Sequence, residues 1–218
     1  MLPEHFIADC RFAHRGRQLC SETYVISFRK PSLEALRRIV AVQAKLDFTY
    51  PGVGTTESGE SAPTGFVLDR TRVELGRGAT AFERGRDALK GWNQFKLGWL
   101  QVFPDDTPIR VGETVIVLAR VFGFWWTNAA RIVYVVDEST EAHARFGFAY
   151  GTLPGHVERG EERFLIEWDR ATDQVSYDIL AFSRPRHFLT RLGRRQARAM
   201  QLRFGQQSAA AMQALAKA

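Results

Sequence analysis

Six segments between residues 97 and 183 alternate apolar and polar side chains, which predicts a β-sheet in this part of the chain. They are rich in β-branched and aromatic residues, and turn sequences such as PDDTP, DEST and RATDQ separate several of them. Connections this short favour antiparallel neighbours, because a parallel pair of strands needs a long crossover. The sequence therefore predicts six antiparallel strands, at residues 97–103, 114–121, 129–137, 145–152, 162–169 and 174–183.

After Pro185 the spacing of the apolar residues changes to that of a long helix. An apolar stripe runs along this helix, formed by Leu189, Leu192, Met200, Phe204, Ala211 and Leu215. Arginines fall largely on its other side, at Arg191, Arg194, Arg195 and Arg198. The inner face of a sheet needs an apolar cover, and this stripe provides one. The predicted fold is therefore α+β, with a curved antiparallel β-sheet wrapped around a long C-terminal helix.

Two strands and two helices are predicted before this region. Residues 24–28 and 66–75 alternate as strands do. Ser32 is a suitable N-cap for an amphipathic helix at residues 32–46. A second helix follows the strand at 66–75, and one of its faces carries Phe82, Leu89 and Trp92.

The length and composition of the chain indicate one folded unit. At 218 residues and 45% hydrophobic content, the chain can bury one substantial core. We expect a single α+β domain over residues 24–218, preceded by an N-terminal extension at 1–23 that shows no clear periodicity. Residues 50–65 are rich in Gly, Ser, Thr and Pro and exceed the usual length of a connection, which indicates a flexible connector or a lid.

The net charge of +6 belongs to one part of the chain. Residues 179–218 carry +8, which leaves −2 for the remainder. A surface that binds phosphates along a nucleic acid would spread its basic residues over more of the fold, so this charge distribution argues against nucleic acid as a partner. The arginine-rich helix is still compatible with peripheral contact to an anionic membrane surface.

The cysteine content predicts a reducing compartment. Cys10 and Cys20 are the two cysteines of the chain, and their spacing fits neither a zinc site nor a disulfide framework. No apolar run approaches the length of a membrane span, and charged residues interrupt the N-terminal region where a signal peptide would be apolar. We expect a soluble cytoplasmic protein with no metal and no cofactor.

Several motifs resemble those of the uncharacterised protein family 0548. They are SFRKPS at 27–32, TYPGVG at 49–54, RVELGRG at 72–78, FKLGW at 95–99, FGFAYGTLPGHVERGEERF at 146–164 and DILAFSRPRH at 178–187. The resemblance covers about residues 25–208, and it implies no activity. The predicted order of strands and helices also resembles the helix-grip fold of the START-like and pollen-allergen-like superfamily, in which fold alone does not settle function.

The polar turn that precedes the strand at 162–169 holds the candidates for chemistry. A histidine beside a carboxylate can act as a general base, so His156, Tyr150 and Glu161 form the predicted catalytic group. Glu161 and Glu162 are adjacent and point to opposite faces of a strand, so only one of them can face a cavity. The alternative is a polar hairpin without chemistry. A metal site would need a third ligand, for which His143, His187 and Asp178 are candidates only if the fold brings them together.

Aromatic residues could line a cavity between the sheet and the terminal helix. The cluster FGFWW at 122–126 suits such a wall, although packing in a solid core explains it as well. Asp178 shares a strand face with Leu180 and Phe182, so it would be a buried acid, paired with Arg184 or Arg131, if that face is the inner one. The predicted ligand-binding residues are Tyr50, Trp92, Trp99, Trp126, Tyr150, Asp178 and Arg184.

Three functional hypotheses follow. The first is a module that binds an apolar or amphipathic small molecule between the sheet and the terminal helix. The second is an enzyme of cyclase or hydrolase type that uses His156 with a nearby Glu or Tyr in that cavity. The third is an interaction protein that binds nucleic acid or a membrane through the arginines of the terminal helix. The sequence favours the first hypothesis and does not indicate an oligomeric state.

Overall fold

The computed structural model describes residues 26–59, 61–186 and 194–217, without the side chain of Arg194. The predicted extension at 1–23 lies outside these ranges, with Cys10 and Cys20. So do the first two residues of the strand predicted at 24–28 and part of the terminal stripe. The predicted residues that lie outside are His187 of the candidate metal site, Leu189 and Leu192 of the stripe, and Arg191 of the arginine side.

Eight strands and three helices make up the described part of the chain. The strands are β1 Ile26–Ser27, β2 Val67–Arg77, β3 Leu100–Phe103, β4 Thr114–Val121, β5 Phe124–Ser139, β6 His143–Thr152, β7 Glu158–Asp169 and β8 Gln174–Pro185. The helices are α1 Leu33–Gln43, α2 Gly78–Lys90 and α3 Arg194–Lys217. Short 3-10 turns lie at Thr55–Glu57 and Asn93–Phe95.

The strands form one antiparallel sheet in the order β2-β8-β7-β6-β5-β4-β3, and β1 pairs with β5. Helix α3 packs against β2, β8 and α2. A sheet of consecutive antiparallel strands, with the first long strand beside the last and a terminal helix against it, is a helix-grip α+β fold. The predicted fold class is therefore confirmed.

The inner face of the sheet is the face that α2 and α3 cover. Its core contains Phe95, Phe148 and Phe164 from the turn before β3 and from β6 and β7. The Tyr177 hydroxyl lies 3.0 Å from the Ser208 Oγ, which links β8 to α3.

Helix α3 buries a stripe that includes Phe204 of the predicted stripe but otherwise differs from it. Met212 and Ala216 join the core and Phe204 packs against it, whereas Leu215 is exposed. Phe204, Ser208, Met212 and Ala216 recur every four residues, which is the spacing of one helix face. No helix in the described ranges is long and apolar enough to cross a membrane.

The outer face of the sheet is covered by α1 and by the segment that follows it. Leu36 and Ile39 of α1 pack on Ile116 and Leu118 of β4. The predicted N-cap is present, because the Ala35 N–H donates to the Ser32 Oγ over 3.2 Å. Both faces of the sheet therefore have an apolar cover.

Strand β5 begins five residues earlier than the sequence predicted. Val121 of β4 pairs with Phe124 of β5, so Phe122 and Gly123 form a two-residue hairpin turn. Both have positive φ, 52° at Phe122 and 82° at Gly123. This turn type usually carries Asn-Gly, so the aromatic residue at its first position concealed the hairpin in the sequence.

Candidate functional site

A cavity of about 590 Å³ lies between the inner face of the sheet and α3. We call it the main cavity. Most of its wall is apolar and comes from strands β3, β4 and β8, the turn before β3 and helix α3. The wall includes Phe95, Leu100, Val117, Ile179 and Phe204, and Phe122 and Leu202 lie at its exposed edge.

The structure brings three of the predicted ligand-binding residues to the main cavity and separates the other four from it. Trp99, Trp126 and Tyr150 line the cavity. Trp92 is buried in the core, where its Nε1 donates to the Thr107 carbonyl over 2.8 Å. Tyr50 contacts the outer face of the sheet, and Asp178 of β8 lies on that face. Arg184 lines a second cavity beside the first.

Tyr150 and Glu162 form a hydrogen-bonded pair at the wall of the main cavity. They are directly opposite each other on β6 and β7, and the Tyr150 hydroxyl donates to the Glu162 Oε2 over 2.7 Å. Burial raises the pKa of Glu162 to about 7 and the pKa of Tyr150 well above its usual value. Near neutral pH the cavity thus contains a carboxyl group that can gain or lose a proton.

Glu161 points to the outer face, where four groups donate hydrogen bonds to it. Its Oε2 accepts from the Tyr50 hydroxyl and the Gly54 N–H, both at 2.7 Å. Its Oε1 accepts from the Thr56 N–H at 2.9 Å and from the Thr56 Oγ1 at 2.5 Å. Gly151 permits this arrangement, because a Cβ there would lie 2.1 Å from the Tyr50 hydroxyl oxygen. The carboxylate holds the segment after α1 against the sheet.

The structure therefore pairs Tyr150 with Glu162 and not with Glu161, the glutamate that the sequence prediction chose. The two side chains do lie on opposite faces of β7, as their adjacency requires. The sequence contained the signal needed to choose between them. Glu162, Phe164 and Ile166 are spaced two residues apart and therefore lie on the same face of the strand. Phe164 and Ile166 are core residues of the inner face.

His156 lines the main cavity from the turn between β6 and β7. Its Nδ1 accepts a hydrogen bond from the Glu158 N–H at 2.9 Å, so the neutral ring carries its proton on Nε2. Burial lowers the pKa of His156 to about 4, and the charge of Arg186 acts in the same direction. At neutral pH the imidazole is therefore uncharged and presents an N–H donor.

Glu158 lies where the main cavity meets the second cavity, and the sequence prediction did not include it. Burial raises its pKa to about 7. Its Oε2 is buried and has no hydrogen-bond partner within the described part of the chain. Glu158 is the first residue of β7, but the sequence predicted a turn up to residue 161 and so assigned Glu158 to no face of the sheet.

Asp178 is a fully buried acid on the outer face, and its partners differ from the predicted ones. The Arg70 Nε lies 2.8 Å from one of its carboxylate oxygens, and an Arg163 guanidinium nitrogen lies 2.7 Å from the other. Arg131, one predicted partner, instead donates to the Ala44 carbonyl over 3.1 Å. Arg184, the other predicted partner, lies at the second cavity.

No group of three or more histidine, cysteine, aspartate or glutamate side chains in the described ranges has a geometry that could hold a metal ion. His143, one of the candidate third ligands, lies 3.8 Å from Glu138 at the far end of β6. Asp178 is on the outer face. The fold therefore does not bring these two residues to His156.

The helix-grip α+β fold defines the class of this protein, and sequence comparison gives its family. The chain belongs to the family described as a domain of unknown function (DUF1990), whose profile matches residues 49–211. A UPF0548 protein of Dictyostelium discoideum is 38% identical over 192 residues, covering 81% of this chain and 89% of the relative. A UPF0548 protein of Arabidopsis thaliana is 32% identical over 198 residues, covering 86% and 95%.

Two solved structures are similar at low sequence identity. A hypothetical protein from Helicobacter pylori is 15% identical, with a TM-score of 0.46, over 69% of this chain and 86% of that one. Ara h 8.0201 is 10% identical, with a TM-score of 0.41, over 68% and 98%. The fold assignment rests on the strand order and on the position of α3.

The protonation of Glu162 predicts a pH-dependent stability. Its folded pKa of about 7 lies above the usual 4.5, so the native state binds more protons than the unfolded state between these values. The stability contributed by this group is present below about pH 4.5 and is lost as the pH rises to about 7. We expect Glu162→Gln to be more stable than the wild type at pH 8, by about 2–3 kcal/mol, and to lose this advantage near pH 4.5. Thermal melting curves between pH 4.5 and 8.5 measure the difference.

Glu167→Gln is the matched control for that series. Glu167 lies on the same strand but on the outer face, 2.7 Å from Arg72 and partly exposed. This control should not gain stability relative to the wild type as the pH rises. Wild-type and Glu162→Gln curves that run parallel over the whole range would contradict the assignment of a buried, titrating Glu162.

Proposed function

We propose that this protein binds an apolar or amphipathic small molecule in the main cavity. The observation that carries the proposal is the cavity itself, about 590 Å³ with mostly apolar walls and a few polar groups. Small-molecule sites usually have volumes of roughly 300–1,000 Å³ and this kind of lining. A cytoplasmic location is part of the proposal, and the absence of any disulfide-framework spacing for Cys10 and Cys20 supports it.

The positions of the polar groups favour a ligand with one polar end. Trp99, Trp126 and Phe204 offer flat apolar surface, and burying hydrocarbon against it contributes about 25 cal/mol per Å². Tyr150 and Glu162 offer a hydroxyl and a carboxyl group at one wall, and His156 offers an N–H donor. A purely apolar molecule would leave these groups without new partners, whereas an amphipathic one can use them.

Thermal melting with uncharged long-chain alcohols tests the proposal. A ligand that binds the native state alone stabilises it by about 2.7 kcal/mol at a concentration of 100 Kd. For a chain of this size that corresponds to a rise in Tm of about 5–10 °C. We expect 1-tetradecanol to produce such a rise, with a change in tryptophan fluorescence from Trp99 and Trp126.

Ethanol at the same molar concentration is the control, because it has the hydroxyl group but not the chain. Native mass spectrometry of protein purified from its own cells would add the mass of a co-purifying molecule. The proposal fails if no chain length from eight to sixteen carbons changes either Tm or fluorescence.

A second candidate function is proton-transfer catalysis on the bound molecule, and the Tyr150–Glu162 pair favours it. A carboxyl group whose pKa is near 7 can act as acid or base at neutral pH. His156, neutral and with its N–H at the same cavity, could donate to a substrate oxygen. Under this function, Glu162→Gln would keep the ligand bound while stopping its conversion, as followed by the mass of the bound molecule over time. Equal conversion by both proteins would exclude the pair as catalytic residues.

A further inference from the structure

A second cavity of about 690 Å³ adjoins the main cavity and is lined by arginines. The two cavities share five lining residues, Glu158, Ser183, Ala197, Arg198 and Gln201, so they lie directly beside each other. We call the second cavity the arginine mouth, after the four arginines among the described residues that line it: Arg159, Arg184, Arg186 and Arg198. A mostly apolar cavity thus lies beside a basic one.

Arg184 is the arginine of the mouth with a guanidinium available to a ligand. Its side chain is exposed, and its Cζ lies 5.0 Å from the ring centre of Phe66. This stacking orients the planar group without using its hydrogen-bond donors. Among the described residues, no carboxylate pairs with Arg184. Arg198, by contrast, forms an ion pair with Asp69.

The remaining charges and polar groups of the mouth suit an anion as well. Glu158 is the one acidic residue among the described residues that line it, against four arginines. Its pKa of about 7 means that it is partly neutral at physiological pH, and its protonated form can donate a hydrogen bond. Gln201 is held in place because its Nε2 donates to the Ser183 Oγ over 3.1 Å.

We propose that the ligand of the main cavity is an amphiphile with a single anionic headgroup, whose carboxylate or phosphate contacts Arg184 in the arginine mouth while its hydrocarbon chain lies in the main cavity. This inference rests on the proposed function, since it needs a chain in the main cavity. The planar guanidinium presents paired N–H donors that match the oxygens of a carboxylate or phosphate.

Isothermal titration of the full chain with three probes of equal chain length tests the headgroup. The probes are tetradecanoate and tetradecyl phosphate, each below its critical micelle concentration, and 1-tetradecanol below its solubility limit. We expect the wild type to bind at least one of the two anions at least tenfold more tightly than the alcohol. In Arg184→Gln this preference should fall about tenfold, while the affinity for the alcohol stays the same.

Arg84→Gln is the matched control, because it removes the same charge from an exposed position on α2, outside both cavities. It should leave all three affinities unchanged. A second variant, Glu158→Gln, removes the acid of the mouth and should bind the anions at least as tightly as the wild type does. A titration with inorganic phosphate alone tests whether the arginine mouth binds a free ion that carries no hydrocarbon chain.

The outcomes separate this inference from the proposed function. If the alcohol binds as tightly as both anions, the inference is wrong and the cavity still binds a chain. If none of the three probes binds, both proposals are wrong. If Arg184→Gln and Arg84→Gln lower the affinity for the anions equally, the preference for anions is a general effect of net charge. That result would overturn the assignment of the headgroup to Arg184. Inorganic phosphate binding as tightly as tetradecyl phosphate would overturn the need for an amphiphile.

Discussion

Replacing Asp178 with alanine is expected to lower the free energy of unfolding by about 3–5 kcal/mol, the usual cost of breaking a buried ion pair from one side. Asp178 is fully buried, between Arg70 and Arg163. Arg70 is half exposed and can be hydrated after the change. Arg163 is only 8% exposed, so its charge would stay buried with just the Thr56 and Glu57 carbonyls as partners. Denaturant unfolding curves measure the loss.

Glu167→Ala is the control that separates burial from ion pairing as such. Glu167 and Arg72 form an ion pair of 2.7 Å on the same face of the sheet, but both side chains are partly exposed. An exposed pair contributes about 0–1 kcal/mol, so this variant should change stability far less. The double variant Asp178→Leu with Arg163→Met should recover much of the loss, because it removes the buried charge together with its partner. Similar costs for Asp178→Ala and Glu167→Ala would contradict the account of a buried pair.

The strands were predictable because each has one face in the core. A strand of this kind alternates apolar and polar residues along the sequence. Strand β4 has the bounds that the sequence predicted, residues 114–121. Strand β7 begins at Glu158, four residues before the predicted start, because Glu158 to Glu161 are polar or glycine and resemble a turn. Alternation identifies a strand by its apolar residues, so a polar stretch that still pairs in the sheet is missed.

The candidate site was predictable only in part, because polar partners come from distant segments. Parity places Glu161 and Glu162 on opposite faces, yet the groups that hold Glu161 lie in the loop after α1. That loop is about a hundred residues away in sequence, and nothing in its composition specifies a carboxylate partner. The same holds for Asp178, whose Arg70 partner lies 108 residues before it. Hydrophobic patterning sets the sheet, and the polar contacts depend on the loops that the sheet then brings together.

The main cavity and the arginine mouth also explain why the basic charge of the C-terminal region need not indicate nucleic acid. Arg184 lies near the end of β8, Arg186 follows the strand, and Arg198 lies on α3, and all three line the arginine mouth. Arg203 stacks on Trp99, with its Cζ 4.7 Å from the ring centre. These described arginines line the cavities or pack against residues that line them. Their positive charge can therefore act within the binding site that we propose.

Filling the main cavity is expected to remove most of the binding of a long-chain ligand without unfolding the protein. Ala181 lies on the inner face of β8, directly opposite Glu162, and its methyl group faces the cavity. The ring of Ala181→Phe would displace about three methylene groups of a bound chain, each contributing about 0.8 kcal/mol. The affinity for 1-tetradecanol should therefore fall roughly 50-fold.

The fold should tolerate the Ala181→Phe change, because phenylalanine is a better strand former than alanine and the ring enters open space. Far-UV circular dichroism and the denaturant midpoint check this. Ala41→Phe is the matched control, since Ala41 is exposed on α1 and lies outside both cavities. A folded Ala181→Phe variant that binds the alcohol as tightly as the Ala41→Phe variant would place the ligand somewhere other than the main cavity.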